Sequence, residues 1–183
     1  MDLFNNSSAI FSDDRKYRYV LERRWDPKKP TVAFIGLNPS TANESTNDAT
    51  IRRVIGFAHS LGFGEMFMLN LFAFVTPYPE ELQTCEDAIG FDNDYYLKRY
   101  GAAADKIVFA WGNFKVFGRD RFIEEMFPKS YCLGNNANGS PKHPLFLKAK
   151  TKIIPFSRKS SSKRLGGDSV STIKLTSSFP KSA

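Results

Sequence analysis

The chain has 183 residues, 42% of them hydrophobic and 25% charged, with a formal net charge of +7 at neutral pH. Such a chain fits a single soluble domain with a real core. It has no run of the roughly 18 apolar residues that a membrane-spanning helix needs, and its only cysteines, Cys85 and Cys132, are too few for an iron–sulfur cluster held by about four thiolates. Two distant cysteines suit free thiols in a reducing compartment, and Met1 to Asn6 lacks the basic-then-apolar pattern of a secretory signal. The expectation is a cytoplasmic protein without membrane attachment, metal or cofactor, and no obligate protein partner is evident. The positive charge points to an anionic partner such as nucleic acid. Much of it lies after residue 157, where Arg158, Lys159, Lys163, Arg164, Lys174 and Lys181 face Asp168 alone.

In chain order, Lys16 to Trp25 alternates well enough for an early strand or edge ribbon, and Asp26 to Pro30 is a turn. Thr31 to Gly36 is a continuous apolar run of the length of a buried parallel strand, its end marked by glycine. Asn38 to Asp48 is a polar loop. Ala49 to Leu61 has helical spacing at Ile51, Val54, Ile55 and Ala58, with Gly62 as C-cap. Glu65 to Phe74 predicts a second buried strand, and Thr76 to Leu82 a turn leading into a helix start. Asp92 to Ala104 predicts a helix, Lys106 to Gly112 a third buried strand, Phe117 to Phe127 a helix, and Ser130 to Leu133 a short fourth strand. A polar loop, Gly134 to His143, follows. Residues 1–156 therefore predict one α/β domain and residues 157–183 a basic, Ser- and Lys-rich tail, expected to be flexible. Strands alternating with helices imply a parallel sheet covered on both faces, with ligands bound at the strands' carboxyl ends.

Three places carry chemistry. Gly36-Leu37-Asn38-Pro39-Ser40 directly follows a buried strand. Glycine admits close backbone approach, proline stiffens the turn, and Asn38 presents an amide at the mouth of the sheet. The competing reading is a tight turn with a capping Asn. The loop is neither a Gly-x-x-x-x-Gly-Lys phosphate loop nor part of a Gly-x-Gly-x-x-Gly fingerprint. Asn70 lies inside an apolar run, so its amide either ties neighbouring loops together or reads a base edge through its adjacent donor and acceptor. In Gly139-Ser140-Pro141-Lys142-His143-Pro144-Leu145, the histidine sits between two prolines, a rigid setting that favours function over mere solvation. The other histidine, His59, lies on a helix without polar company and reads as a surface or half-buried residue.

Together these places resemble the uracil-DNA glycosylase superfamily, which carries a Gly-x-Asn/Asp-Pro loop after its first core strand, a Leu-Leu-Asn strand, an apolar strand ending in glycine, and a late His-Pro-Ser-Pro loop. The matches in order are Gly36 to Pro39, Met68-Leu69-Asn70, Ile107 to Gly112, and His143-Pro144-Leu145, across residues 31–147. At closer range, Arg18 to Phe156 resembles a bacterial and phage domain family of unassigned function. That likeness rests on Trp25-Asp26-Pro27, Leu37 to Ala42 (Leu-Asn-Pro-Ser-Thr-Ala), Asp48 to Arg53 (Asp-x-Thr-Ile-Arg-Arg) and Gly139 to Leu145. Three departures stand out. Leu145-Phe146 replaces Ser-Pro, Asn38 replaces the general-base aspartate of the best-known members, and the base-stacking aromatic has only Phe57 and Phe72 as candidates.

The resemblance implies an α/β three-layer sandwich with a central four-stranded, mostly parallel sheet. It implies a monofunctional DNA glycosylase that hydrolyses the N-glycosidic bond of a flipped pyrimidine and leaves an abasic site. Asn38 and His143 would be catalytic. Gly36, Leu37, Pro39, Ser40 and Asn70 would bind the base, and Gly139, Ser140, Pro141, Lys142 and Leu145 would hold the DNA. Uracil-specific members place a tyrosine after the loop's proline to block the base's C5 face. Ser40, followed by Thr41 and Ala42, leaves room there, so the expected substrate is a C5-modified pyrimidine such as hydroxymethylated or glucosylated cytosine in phage DNA, with an antiphage role. Two alternatives remain open. One is a hydrolase or transferase acting on free modified nucleotides, with Ser40, Thr41, Asp48, Arg52 and Arg53 lining a phosphate site. The other is a non-catalytic DNA-binding module.

Overall fold

The computed structural model describes residues 6–158. Among these, seven strands form one mixed sheet: β1 (Asn6–Phe11), β2 (Arg18–Arg24), β3 (Thr31–Gly36), β4 (Glu65–Asn70), β5 (Lys106–Phe109), β6 (Tyr131–Cys132) and β7 (Ile154–Pro155). Their spatial order is β1-β2-β4-β3-β5-β6-β7. Three helices, α1 (Ala49–Ser60), α2 (Asn93–Ala103) and α3 (Arg119–Met126), and two 3-10 turns, Pro79–Gln83 and Pro144–Phe146, complete the described elements. Residues 1–5, and 159–183 of the expected tail, lie outside the described residues.

The four apolar runs read from the sequence are β3, β4, β5 and β6, which pair in parallel as β4-β3-β5-β6. The expected four-stranded sheet is corrected, because strands of weaker signal extend it on both sides. β2 pairs antiparallel with β4 and β1 with β2, while β7 pairs antiparallel with β6. β1 begins Asn-Ser-Ser, and β7 is only Ile154-Pro155, with proline where an edge tolerates it. β2 is not an edge: β1 covers its outer side, and its arginines Arg18 and Arg23 are 2% and 1% exposed. β4 ends at Asn70 rather than at Phe74. Beyond it the backbone bonds to the β3 loop, Leu71 N–H to Gly36 O and Phe72 N–H to Leu37 O.

The period-2 alternation of the central strands divides the core. Val32, Phe34, Met66 and Met68 pack against Ile51, Val54, Phe57 and Ala58 of α1. Ala33, Ile35, Phe67, Leu69 and Phe109 face Leu97 of α2 and Ile123 of α3. The helices thus cover both faces. No helix among the described residues is long and apolar enough to cross a membrane. Arg158, the last of the described residues, ion-pairs with Asp120 and Glu124 of α3.

α1 starts where Asp48 accepts the Ile51 N–H at 2.8 Å, satisfying an otherwise orphaned helix donor. Its four buried residues then seat it on the sheet beside the strands' carboxyl ends. Replacing Asp48 by alanine is expected to lower the unfolding free energy by about 1 kcal/mol, whereas Asp48→Asn keeps a capping acceptor and loses less than half of that. Urea denaturation of the two variants checks this, and equal losses would mean that the cap contributes nothing.

Candidate functional site

A cavity of about 270 Å³ opens at the carboxyl end of β3. Its walls bring together Gly36, Leu37, Asn38 and Ser40 from the first loop with His143 and Leu145 from the last, as read from the sequence. The other residues singled out lie around it. Pro39 is buried in the loop, and its carbonyl accepts the Thr76 N–H at 3.0 Å. Gly139, Ser140 and Pro141 are buried in the adjoining turn, and Lys142 is exposed. The Ser140 hydroxyl donates to Asn138 Oδ1 at 2.7 Å and accepts from Asn136 Nδ2 at 3.0 Å, so it braces its own loop. Of the residues considered for a phosphate site, Asp48 and Ser40 line the cavity. Thr41 points to solvent, Arg52 bonds Asn47 O, and Arg53 bonds Leu147 O.

The first loop is held against the segment after β4. Asn38 Nδ2 donates to Pro39 O at 2.9 Å and to Thr76 O at 2.8 Å. Two carbonyl acceptors admit only the amide nitrogen there, which commits both N–H groups and leaves Oδ1 as the part of Asn38 that can accept a hydrogen bond from a ligand. Gly36 makes the cavity's floor: a Cβ there would lie 2.5 Å from Met68 Cε and 3.1 Å from Asn70 Oδ1.

Asn70 sits directly behind this floor, opposite Gly36 in the sheet register. It is fully buried, and neither of its amide atoms has a hydrogen-bond partner among the described residues. Its backbone is fixed, since Asn93 Nδ2 reaches Asn70 O at 3.2 Å and Leu71 O at 3.1 Å, and Arg119 Nε also bonds Leu71 O at 3.0 Å. A buried amide left unbonded costs about 1–3 kcal/mol. Asn70 is therefore next to the cavity but is not one of its walls in this structure.

His143 caps the 3-10 turn Pro144–Phe146, and its Nδ1 accepts the Leu145 N–H at 3.4 Å. An accepting Nδ1 places the proton of the neutral ring on Nε2. Burial holds the imidazole pKa below its ordinary value, only partly opposed by the nearby Asp48 carboxylate. Gly112, at φ +80°, lets the His143 loop pack close to the end of β5: a Cβ there would lie 3.1 Å from His143 Cβ.

The structure adds lining residues that sequence reasoning missed. Arg18 is 2% exposed and lies in the cavity wall. Its Nη1 donates to Ala42 O at 2.9 Å, its Nε has no partner, and it forms no ion pair with any described carboxylate. Desolvation pushes its pKa down to about 10, with Asp48 acting in the opposite sense and Arg23 adding to the fall. Withdrawing such an ion from water costs on the order of several kcal/mol unless charges and hydrogen bonds compensate. No periodic signal marks Arg18, because an arginine in an alternating segment reads as solvent-facing. Phe114 and Phe146, 48% and 85% exposed, form aromatic walls at the mouth. They replace Phe57 and Phe72 as stacking candidates, both of which are buried in the core. The available clue was position: Phe114 lies two residues beyond the glycine that follows β5, and Phe146 in the His143 turn.

Two further hollows adjoin the cavity. One of about 220 Å³ shares Phe114, His143 and Phe146 with it. Another of about 150 Å³ shares Leu37, Pro79 and Phe114. The strand ends thus carry a continuous furrow. No cluster of three or more His, Cys, Asp or Glu side chains among the described residues is placed to hold a metal ion.

The near-isosteric replacement Asn70→Leu removes two unsatisfied polar atoms and is expected to leave the unfolding free energy unchanged or raise it by up to about 1 kcal/mol. A loss above about 1 kcal/mol in denaturant melts would show that the amide is already satisfied.

A family model described as a protein of unknown function (DUF1643) matches residues 18–145, most of the described chain and all of the cavity's walls except Phe146. No curated protein and no solved structure matches the chain.

Proposed function

We propose that this chain, which belongs to the DUF1643 family, is a monofunctional DNA glycosylase that excises a flipped pyrimidine and leaves an abasic site. The observation that carries the reading is the complementary pair in one cavity: Asn38, with its amide N–H groups tied down and Oδ1 left to accept, and His143, with the proton on Nε2. Breaking an N-glycosidic bond builds positive charge on the sugar and negative charge on the departing base. Asn38 Oδ1 orients a water beneath C1′. It is no strong base, so bond breaking runs ahead of attack. Nε2–H of His143 donates to O2 of the base as charge develops. The water's oxygen bonds to C1′, its proton passes to solvent, and the electron pair of the broken bond leaves with the base, which then takes a proton.

The rest of the furrow supports a polymer rather than a free nucleotide. Phe114 and Phe146 offer faces for stacking, and exposed Leu145 stands at the rim as a wedge for the vacated stack. Since the Ser140 hydroxyl and the N–H groups of Gly139, Ser140 and Lys142 are engaged within their turn, the phosphate grip falls to the exposed Lys142 side chain. Ser40 contributes a small side chain to the wall, which leaves space for a C5 substituent. Hydroxymethylated or glucosylated cytosine of phage DNA is the proposed substrate, and defence against phage the proposed role.

Incubation with duplexes containing uracil, a thymine mismatch, hydroxymethylcytosine or glucosylated hydroxymethylcytosine, read as abasic sites, tests this; no product on any duplex overturns it. Asn38→Ala and His143→Ala are expected to lower single-turnover rates about 100- to 1,000-fold, the range for losing one preorganised donor or positioning group. Full activity in both would remove them from the mechanism.

The pH dependence follows from the lowered His143 pKa. A ring that titrates below about pH 6.5 is neutral from there upward, so the rate is expected to stay level between about pH 6.5 and 8.5. A rate falling tenfold per unit across that window would identify the imidazolium as the donor instead.

A further inference from the structure

We propose that Arg18 and Asp48 form a reading pair at the inner end of the cavity, binding a ligand edge that offers an acceptor to the guanidinium and an adjacent N–H or O–H to the carboxylate. The inference rests on the glycosylase reading only for the occupant's name, a pyrimidine base. The site itself stands on geometry. Arg18 is almost completely buried, lines the cavity, and has an unpartnered Nε. Asp48 lines the same cavity with one carboxylate oxygen engaged by Ile51 N–H. The two charges sense each other but form no ion pair.

A buried cation and a carboxylate facing one space without closing on each other leave a donor and an acceptor unspent. A purely anionic ligand satisfies Arg18 but is repelled by Asp48, and a purely cationic one has the reverse problem. A neutral edge with acceptor beside donor satisfies both, which is the chemistry of a pyrimidine amide or amidine edge. A hydroxyl on a C5 substituent has the same chemistry, since it both accepts and donates.

The experiment measures thermal shift and calorimetric binding of free cytosine, free 5-hydroxymethylcytosine and inorganic phosphate to the whole protein, its Arg18→Met variant and its Asp48→Asn variant. Asn retains the helix cap, and Met removes an unneutralised buried charge. Both variants are expected to stay folded, Asp48→Asn with a small loss of stability from its weaker cap and Arg18→Met with a larger one from the lost hydrogen bond to Ala42 O, while weakening base binding tenfold or more. Equal binding of the two bases assigns the edge to the ring, and binding of hydroxymethylcytosine alone assigns it to the substituent. Either result supports the pair. Phosphate binding that depends on Arg18, without binding of either base, overturns it, as does base binding indifferent to both variants or no base binding at millimolar concentration. If Arg18→Met fails to fold, Arg18→Lys, which keeps the charge but not the planar fork, is measured in its place with the same expected loss. Abasic sites formed with equal efficiency by the Arg18 variant would leave the glycosylase reading standing and this one fallen. Arg18-dependent base binding without abasic product would do the reverse.

Discussion

The hold of strand β2 on the loop between β3 and α1 organises the rest of this structure. Arg18 reaches Ala42 O at 2.9 Å, while Arg23 reaches Asn43 O at 2.6 Å and Asn47 Oδ1 at 3.0 Å. Long polar loops lack ladder partners, and this one borrows guanidinium donors from the strand beneath it. The loop's own Asn43 side chain accepts from Ser45 and Thr46 N–H, closing a local turn. Ala42, Asn43 and Asn47 are thereby held, and they flank Ser40 and Asp48, which line the cavity. Without the arginines, the carbonyls of Ala42 and Asn43 would have to find other donors.

The cavity is built from side chains that are partly committed. Asn38 spends its nitrogen on the loop and keeps its oxygen. Asp48 spends one oxygen on a helix cap. His143 spends Nδ1 on its own turn. Each commitment fixes an orientation and also leaves one defined donor or acceptor for a ligand. This is preorganisation in the physical sense: the groups need not reorient to meet a ligand. The Arg18 Nε is the exception among these walls, buried and without a partner, and the Asn70 amide is equally uncommitted behind Gly36.

Much of this was legible in the sequence. The runs Thr31 to Gly36, Glu65 to Phe74 and Lys106 to Gly112 announce buried parallel strands because continuous apolar character has few other uses at that length, although the second and third strands stop at Asn70 and Phe109. Gly36, Asn38 and His143 stood out because their loops combine conformationally special residues with polar ones. The strands at the margins did not show. β1 pairs through its backbone with a half-polar sequence, and β7 has two residues. Arg18 was opaque for a different reason. Local pattern reports which residues prefer water, and this arginine is buried by the loop folded over it from more than twenty positions away. Phe114 and Phe146 were hidden by the same limit, since a loop aromatic gains its meaning from what it stands beside.

The furrow's two ends differ in what change they tolerate. Its inner end rests on interior strands and on Asp48, which also starts a helix, so a substitution there disturbs sheet, loop and helix at once. Its mouth rests on Phe146 and Leu145, exposed side chains of a three-residue turn, and on Phe114, which projects beyond β5. Those positions can vary at little structural cost. The rim can therefore change without unsettling the fold, while the shape and charge of the floor are tied to the same contacts that hold sheet, loop and helix together.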